Sequence, residues 1–158
     1  MGVETLEVIN FEVLALDNER QDFDGGIIPW INIEDRSIEI GRLVSPDETV
    51  LFYPRASVVL EYPLNNPVTR EISTDREGFS RRELVEQIGK YYEEIYEEEE
   101  ASASVKTLPM DQRKIMNRNQ TDGVYGIWGH DLADIAISGV EVPRAENGEI
   151  FLILGVES

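Results

Sequence analysis

Ser80 and Glu83, with Phe79 just before and Leu84 just after, form the local signal that most narrows the folds open to this chain. A serine at a helix start accepts a hydrogen bond from the backbone N–H three residues on. A glutamate at that third position reaches back to the serine N–H, and apolar residues at the two flanking positions pack as a staple. Leu84, Ile88, Tyr91, Tyr92 and Ile95 then recur at helical spacing. The pattern predicts one amphipathic helix from Arg81 to about Glu98, with a single apolar stripe that needs a surface to cover. Its tail, Glu97 to Glu100, places four carboxylates where the helix dipole is already negative. That end is expected to fray.

The surface to be covered is written in the first half of the chain, which reads as strands. Val3 to Leu16 is rich in aliphatic and β-branched residues, with Leu6 and Val8 alternating against Glu7. Asp24-Gly25-Gly26 is a turn ahead of Ile27 to Ile33. Ser37 to Val44 alternates Ile38, Ile40 and Arg42 against Glu39, Gly41 and Leu43, and is predicted as a strand. Ser57 to Tyr62 and Val68 to Ser73 flank Pro63-Leu64-Asn65-Asn66-Pro67, a hairpin with a five-residue loop. Prolines at both ends suit strands that stop there, since proline cannot donate to a ladder.

Beyond the long helix, residues 101–122 hold Ala-Ser-Ala-Ser, Pro109 and a basic cluster, with room for one short helix. A connection of that length inside a small domain is functional or mobile, and mobility is expected here. Asp131, with Asp134 three residues on, is positioned to cap another short helix, and Gly139 reads as its stop. Val140 to Val142 and Glu149 to Val156 read as a terminal hairpin around Asn147-Gly148.

Charge separates these regions further. The net charge is −18, from 14 basic and 32 acidic residues. Residues 105–119 alone run the other way, with four basic groups against one acidic. So acidic a body repels phosphate, which disfavours nucleic acid and anionic membranes as partners and favours a basic protein. With no cysteine and one histidine, disulfides, thiolate chemistry and the usual zinc ligand sets are excluded. There is no run of 18 apolar residues and no secretory leader pattern at Met1-Gly2-Val3-Glu4, so the expected address is the cytoplasm.

Three groups of residues are candidates for function. Tyr125, Trp128 and His130 lie around two glycines, an arrangement suited to gripping a ligand, with His130 and Asp131 the only acid–base pair of interest. No nucleophile elbow accompanies them, so the reading leans away from catalysis. The helix residues Glu86, Glu93, Glu94 and Glu97 offer an acidic docking face, and Arg113, Lys114 and Arg118 a basic one. Asp22-Phe23-Asp24-Gly25-Gly26 fails as a calcium loop, because Ile27 and Ile33 fall where a glycine and a glutamate are required. No metal and no cofactor is therefore expected; the phosphate-loop and dinucleotide patterns are absent from the sequence.

The expected architecture is a single α+β domain over residues 1–158. It is a mainly antiparallel sheet packed by one long amphipathic helix, with a short second helix and a C-terminal β-hairpin. The expected role is a non-catalytic protein-interaction module working through its acidic surface and the 101–122 connection. The alternative is a small enzyme or ligand-binding protein centred on Tyr125 to Asp131.

Overall fold

A computed structural model describes residues 7–143 and 147–157. Along the chain run β1 (Glu7–Asn10), β2 (Val13–Leu14), β3 (Ile27–Ile28), β4 (Ile31–Asn32), α1 (Arg36–Glu39), β5 (Thr49–Leu51), β6 (Arg55–Leu60) and β7 (Val68–Ser73). After them come β8 (Phe79–Ser80), α2 (Arg81–Ser102), β9 (Ala136–Val142) and β10 (Phe151–Glu157). The main sheet has the order β1-β9-β10-β6-β7, with β4 also paired to β9. Its pairings are antiparallel except for β10 with β6. The fold is thus a single α+β domain with a mainly antiparallel sheet, one long helix, a short second helix and paired C-terminal strands.

Helix α2 lies against the sheet as its stripe demands. Leu84, Val85, Ile88, Tyr92 and Ile95 are buried among Ala56, Val58, Leu60, Ile72, Ile137, Val140 and Leu152. The capping box is formed in both directions: Glu83 N–H donates to Ser80 Oγ (3.2 Å) and Ser80 N–H to Glu83 Oε1 (3.2 Å). Phe79 and Leu84, the two halves of the staple, are both fully buried. The helix also guards a sheet edge. Tyr91 Oη donates to the Glu71 carbonyl (2.5 Å) and Gln87 Nε2 to that of Ser73 (3.4 Å), so the outer strand β7 has carbonyls already engaged.

The hairpin β6–β7 forms as expected, in register from Arg55↔Ser73 to Leu60↔Val68, but β6 ends at Leu60, so the loop is 61–67 and longer than the five residues expected; its Tyr62–Pro63 peptide is cis. Elsewhere the structure corrects the sequence reading. Ser37 to Val44 is not a strand; it is α1 followed by a 3-10 turn at Ile40–Arg42. A half-buried strand would turn Ile38 and Ile40 to the same face, yet Ile38 is exposed and Ile40 buried. Arg36 holds the helical form, donating to the Ile33 carbonyl (2.8 Å) and to Glu93 Oε1 on α2 (2.9 Å). Pro29 splits the 27–33 segment into β3 and β4. The first strand is interrupted at Phe11 and Glu12, and its predicted portion before Glu7, Leu6 included, lies outside the described residues.

Two further corrections concern the C-terminal third. Gly139 does not end a helix; it sits inside β9 opposite Asn10 and Gly155. A Cβ there would collide with the Ile9 carbonyl oxygen, so the glycine serves the close approach of β1. The terminal strands, moreover, are central and not added at the rim: β9 and β10 lie between β1 and β6. Asn147 and Gly148 fall between them, Gly148 at φ +82°, while the adjoining residues 144–146 lie outside the described residues. None of the described helices is long and apolar enough to cross a membrane.

Candidate interaction site at the end of the long helix

Helix α2 continues through Ser102 instead of fraying at its acidic tail. The carboxylates there are used one by one. Glu98 accepts from the Tyr125 hydroxyl (2.6 Å). Glu100 accepts from Thr107 N–H (3.2 Å) and Oγ1 (2.8 Å). Glu99 is fully buried and accepts five hydrogen bonds. These come from Thr121 Oγ1 (2.5 Å) and from the backbone N–H groups of Gly123 (2.9 Å), Tyr125 (2.9 Å), Gly126 (3.1 Å) and Ile127 (3.2 Å). Burial pushes its pKa up. The bonds from Thr121, Tyr125, Ile127 and Gly123 outweigh that and hold the carboxyl below its ordinary range. One ionised side chain therefore shapes the whole 121–127 loop, since isolated backbone donors at that depth are costly. The signal for it was present in the helical stripe: Glu99 falls four residues after Ile95 and seven after Tyr92, on the face that points inward.

The basic island turns inward as well. Arg113 binds both oxygens of Asp131 (2.7 and 3.0 Å), with only 6% of its side chain exposed. It also donates to the carbonyls of Leu108 (3.0 Å) and Met116 (3.2 Å). Hydrogen bonding to Asp131 raises its already high pKa, so it carries its charge at every working pH. Arg118 is buried beneath it, 5.5 Å above the Tyr96 ring, donating to Thr121 Oγ1 (3.2 Å) and the Ile127 carbonyl (3.3 Å). The Lys106 ammonium meets the Glu100 carbonyl. Of the proposed basic docking residues, only Lys114 stands in solvent.

With its two arginines facing in, the connection leaves its large apolar side chains outward. Val105 and Leu108 are exposed, as are Met110 (62%), Ile115 (70%) and Met116 (79%). The backbone beneath them is tied down: Asp122 Oδ1 accepts from Val105 N–H (2.7 Å), and Asn119 links Lys106 and Leu108 (3.0 and 2.8 Å). A single 3-10 turn, Met110–Gln112, is the short helix expected here.

Of the three residues proposed to grip a ligand, two come together. Trp128 and His130 meet edge to face (5.6 Å), and Tyr62 joins both, at 5.1 Å from Trp128 and 5.2 Å from His130. The Tyr62 hydroxyl and His130 Nε2 share a 2.6 Å hydrogen bond. Gly126 and Gly129, at φ +64° and +71°, supply the left-handed turns that place Trp128 between them. Trp128 keeps 38% of its surface in solvent. Tyr125 faces elsewhere, toward Glu98 and Arg70, buried and with its pKa raised by burial and by the Glu98 carboxylate. Asp131 does not orient the His130 ring, because both its oxygens are bound to Arg113. Asp131 does cap the Leu132–Asp134 turn as expected, in a capping box with Asp134, whose Oδ2 accepts from Asp131 N–H (3.0 Å). The four described clefts are lined by other residues. On the acidic face Glu86 and Glu97 are exposed, Glu94 is half-buried, and Glu93 is paired with Arg36.

No known family, curated protein or solved structure matches this chain. Among the described residues there is also no cluster of three or more side chains able to hold a metal ion.

Proposed function

We propose that this chain is a non-catalytic protein-interaction module that meets its partner through the 103–120 connection. One observation carries the reading: the connection buries its arginines and exposes its large apolar side chains. Met110, Ile115 and Met116 are among the most exposed hydrophobic residues described. Leaving such groups in water on a backbone held by its own hydrogen bonds is unfavourable, and clustered exposure of this kind marks contact surfaces. Methionine suits the role, because its flexible thioether adapts to differently shaped partners. The competing catalytic reading is weakened by the Arg113–Asp131 pair, which leaves His130 without a carboxylate to orient it.

The test is a display selection of peptide ligands against the whole chain, followed by affinity measurement on the double variant Ile115→Asp/Met116→Asp. Both side chains are in solvent, so the fold should melt within a few degrees of the parent. Ligands that lose about tenfold or more in affinity support the reading, a loss typical of contact residues. If every selected ligand binds parent and variant equally, the connection is not the contact element.

A further inference from the structure

We infer that the segment bound by this surface is cationic and amphipathic, with its apolar residues on Ile115 and Met116 and a basic side chain on Trp128. The inference rests on the interaction reading above and specifies the partner's chemistry. Continuity is its first support. Arg118 is bridged to Gly129 in antiparallel fashion, and Arg113 reaches Asp131. Residues 113 and 118 are thus tied to 131 and 129, so the chain that carries Ile115 and Met116 is anchored at both ends to the segment that carries Trp128.

Charge is the second support. A basic-looking segment ought to attract an acidic partner, but its two arginines are engaged within the molecule. Arg113 and Arg118 surround Asp131, at 2.7 and 4.0 Å, and Lys106 lies on the Glu100 carbonyl. Lys114 stays in solvent. Against it and the equally exposed Lys106, Asp111 on the same segment, Asp134 beside Asp131 and Glu97 on the helix are exposed. The field felt by an approaching segment is therefore that of the −18 body, and complementary charge speeds encounter and selects partners.

The aromatic cluster is the third. Trp128 is held by Tyr62 and His130 at ring angles of 81° and 62°, and its backbone N–H donates to the Pro63 carbonyl (3.2 Å). A fixed, partly exposed indole is the strongest of the aromatic receivers for an ammonium or guanidinium group. The same chemistry operates a few residues away, where Arg118 lies over Tyr96. A segment carrying apolar residues on one side and lysine or arginine on the other satisfies all three features together.

The experiment uses the full chain with Trp30→Phe, which leaves Trp128 as the only tryptophan fluorophore. Three synthetic peptides of about 15 residues are titrated, long enough for an amphipathic helix. One has leucine and lysine at amphipathic spacing, one leucine and glutamate at the same spacing, and one lysine and serine with equal positive charge. The expected result is saturable change in Trp128 emission with the leucine–lysine peptide alone. Its affinity, read by anisotropy of the labelled peptide, should drop about tenfold or more in Ile115→Asp/Met116→Asp and in Trp128→Ala. Added salt should weaken it without abolishing it.

Equal binding by the lysine–serine peptide would show diffuse charge attraction and overturn the inference. Equal or tighter binding by the leucine–glutamate peptide would overturn the charge assignment while leaving an apolar contact surface. Concentration-dependent Trp128 emission without peptide would make a second copy of the chain the occupant, and would also overturn it. Binding by none of the three, with display ligands still sensitive to the double variant, rejects this partner class and leaves the interaction module standing. If the display ligands are insensitive too, the module itself fails.

Discussion

The two ends of helix α2 solve opposite problems. At the start, Ser80 and Glu83 satisfy donors within one turn, and Leu84, Ile88, Tyr92 and Ile95 press an apolar stripe on the sheet. Apart from Arg81, which donates to the Asn10 and Ser45 carbonyls (both 2.8 Å), and Arg82, paired with Asp47, what this end uses is local or apolar. At the far end, Glu98, Glu99 and Glu100 accept donors from residues 7 to 28 positions away, and order a connection with few apolar contacts of its own. The first end is held by burial and the second by charge-assisted hydrogen bonds. Such bonds are stronger individually, and they fail together if their acceptor is removed.

That contrast is broken most severely at Glu99. Replacing it with alanine strands five donors, each worth about 1 kcal/mol or more, so a loss above about 4 kcal/mol is expected in denaturant melts. Tryptic cleavage after Arg113 and Lys114 should accelerate in parallel. A loss under about 1 kcal/mol would mean that water replaces the carboxylate and the loop needs no anion. Acid sharpens the same point. The folded-state pKa of Glu99 lies below its unfolded value, so its contribution is complete above the ordinary carboxylate range and fades as pH falls through the folded value. Parent and Glu99→Gln should therefore differ most near neutral pH and converge as the solution is acidified. A gap that stays constant down to pH 3 would show that ionisation is irrelevant.

At the other end, Ile88→Ala should cost roughly 2–5 kcal/mol by opening a cavity between helix and sheet. In contrast to the Glu99 variant, its hydrogen-exchange protection should fall across the sheet rather than in residues 103–127. Loss confined to the connection would contradict the placement of the stripe. Smallest is Ser80→Ala, at about 1 kcal/mol for the lost cap, with no acid dependence of the Glu99 kind. An effect as large as that of Ile88→Ala would mean that the capping box organises more than one turn.

The 101–122 connection shows where reading along the chain loses its grip. Its composition suggested a mobile basic arm, because Arg113, Lys114 and Arg118 stand together and Pro109 interrupts any helix. Nothing in sequence says that Asp131, 18 residues on from Arg113, returns to accept from its guanidinium with both carboxylate oxygens. Tyr62 in the candidate site was equally hidden, since 68 residues separate it from His130. Strand residues with a period of two misled for a related reason. Ile38 and Ile40 alternate in sequence, but the Arg36 side chain reaching α2 selects a helical turn.

What the sequence determined by itself is whatever depends on neighbours a few residues apart. The Ser80–Glu83 cap, the helical stripe through Ile95, the β6–β7 hairpin and the α+β class all follow from local geometry and periodicity. Tertiary structure alone decided the central placement of β9 and β10, which donors gather on Glu99 and the inward turn of Arg113 and Arg118. Each of these depends on which distant donor or strand arrives at a site, and the net gain from such a meeting exists only once the chain is folded around it.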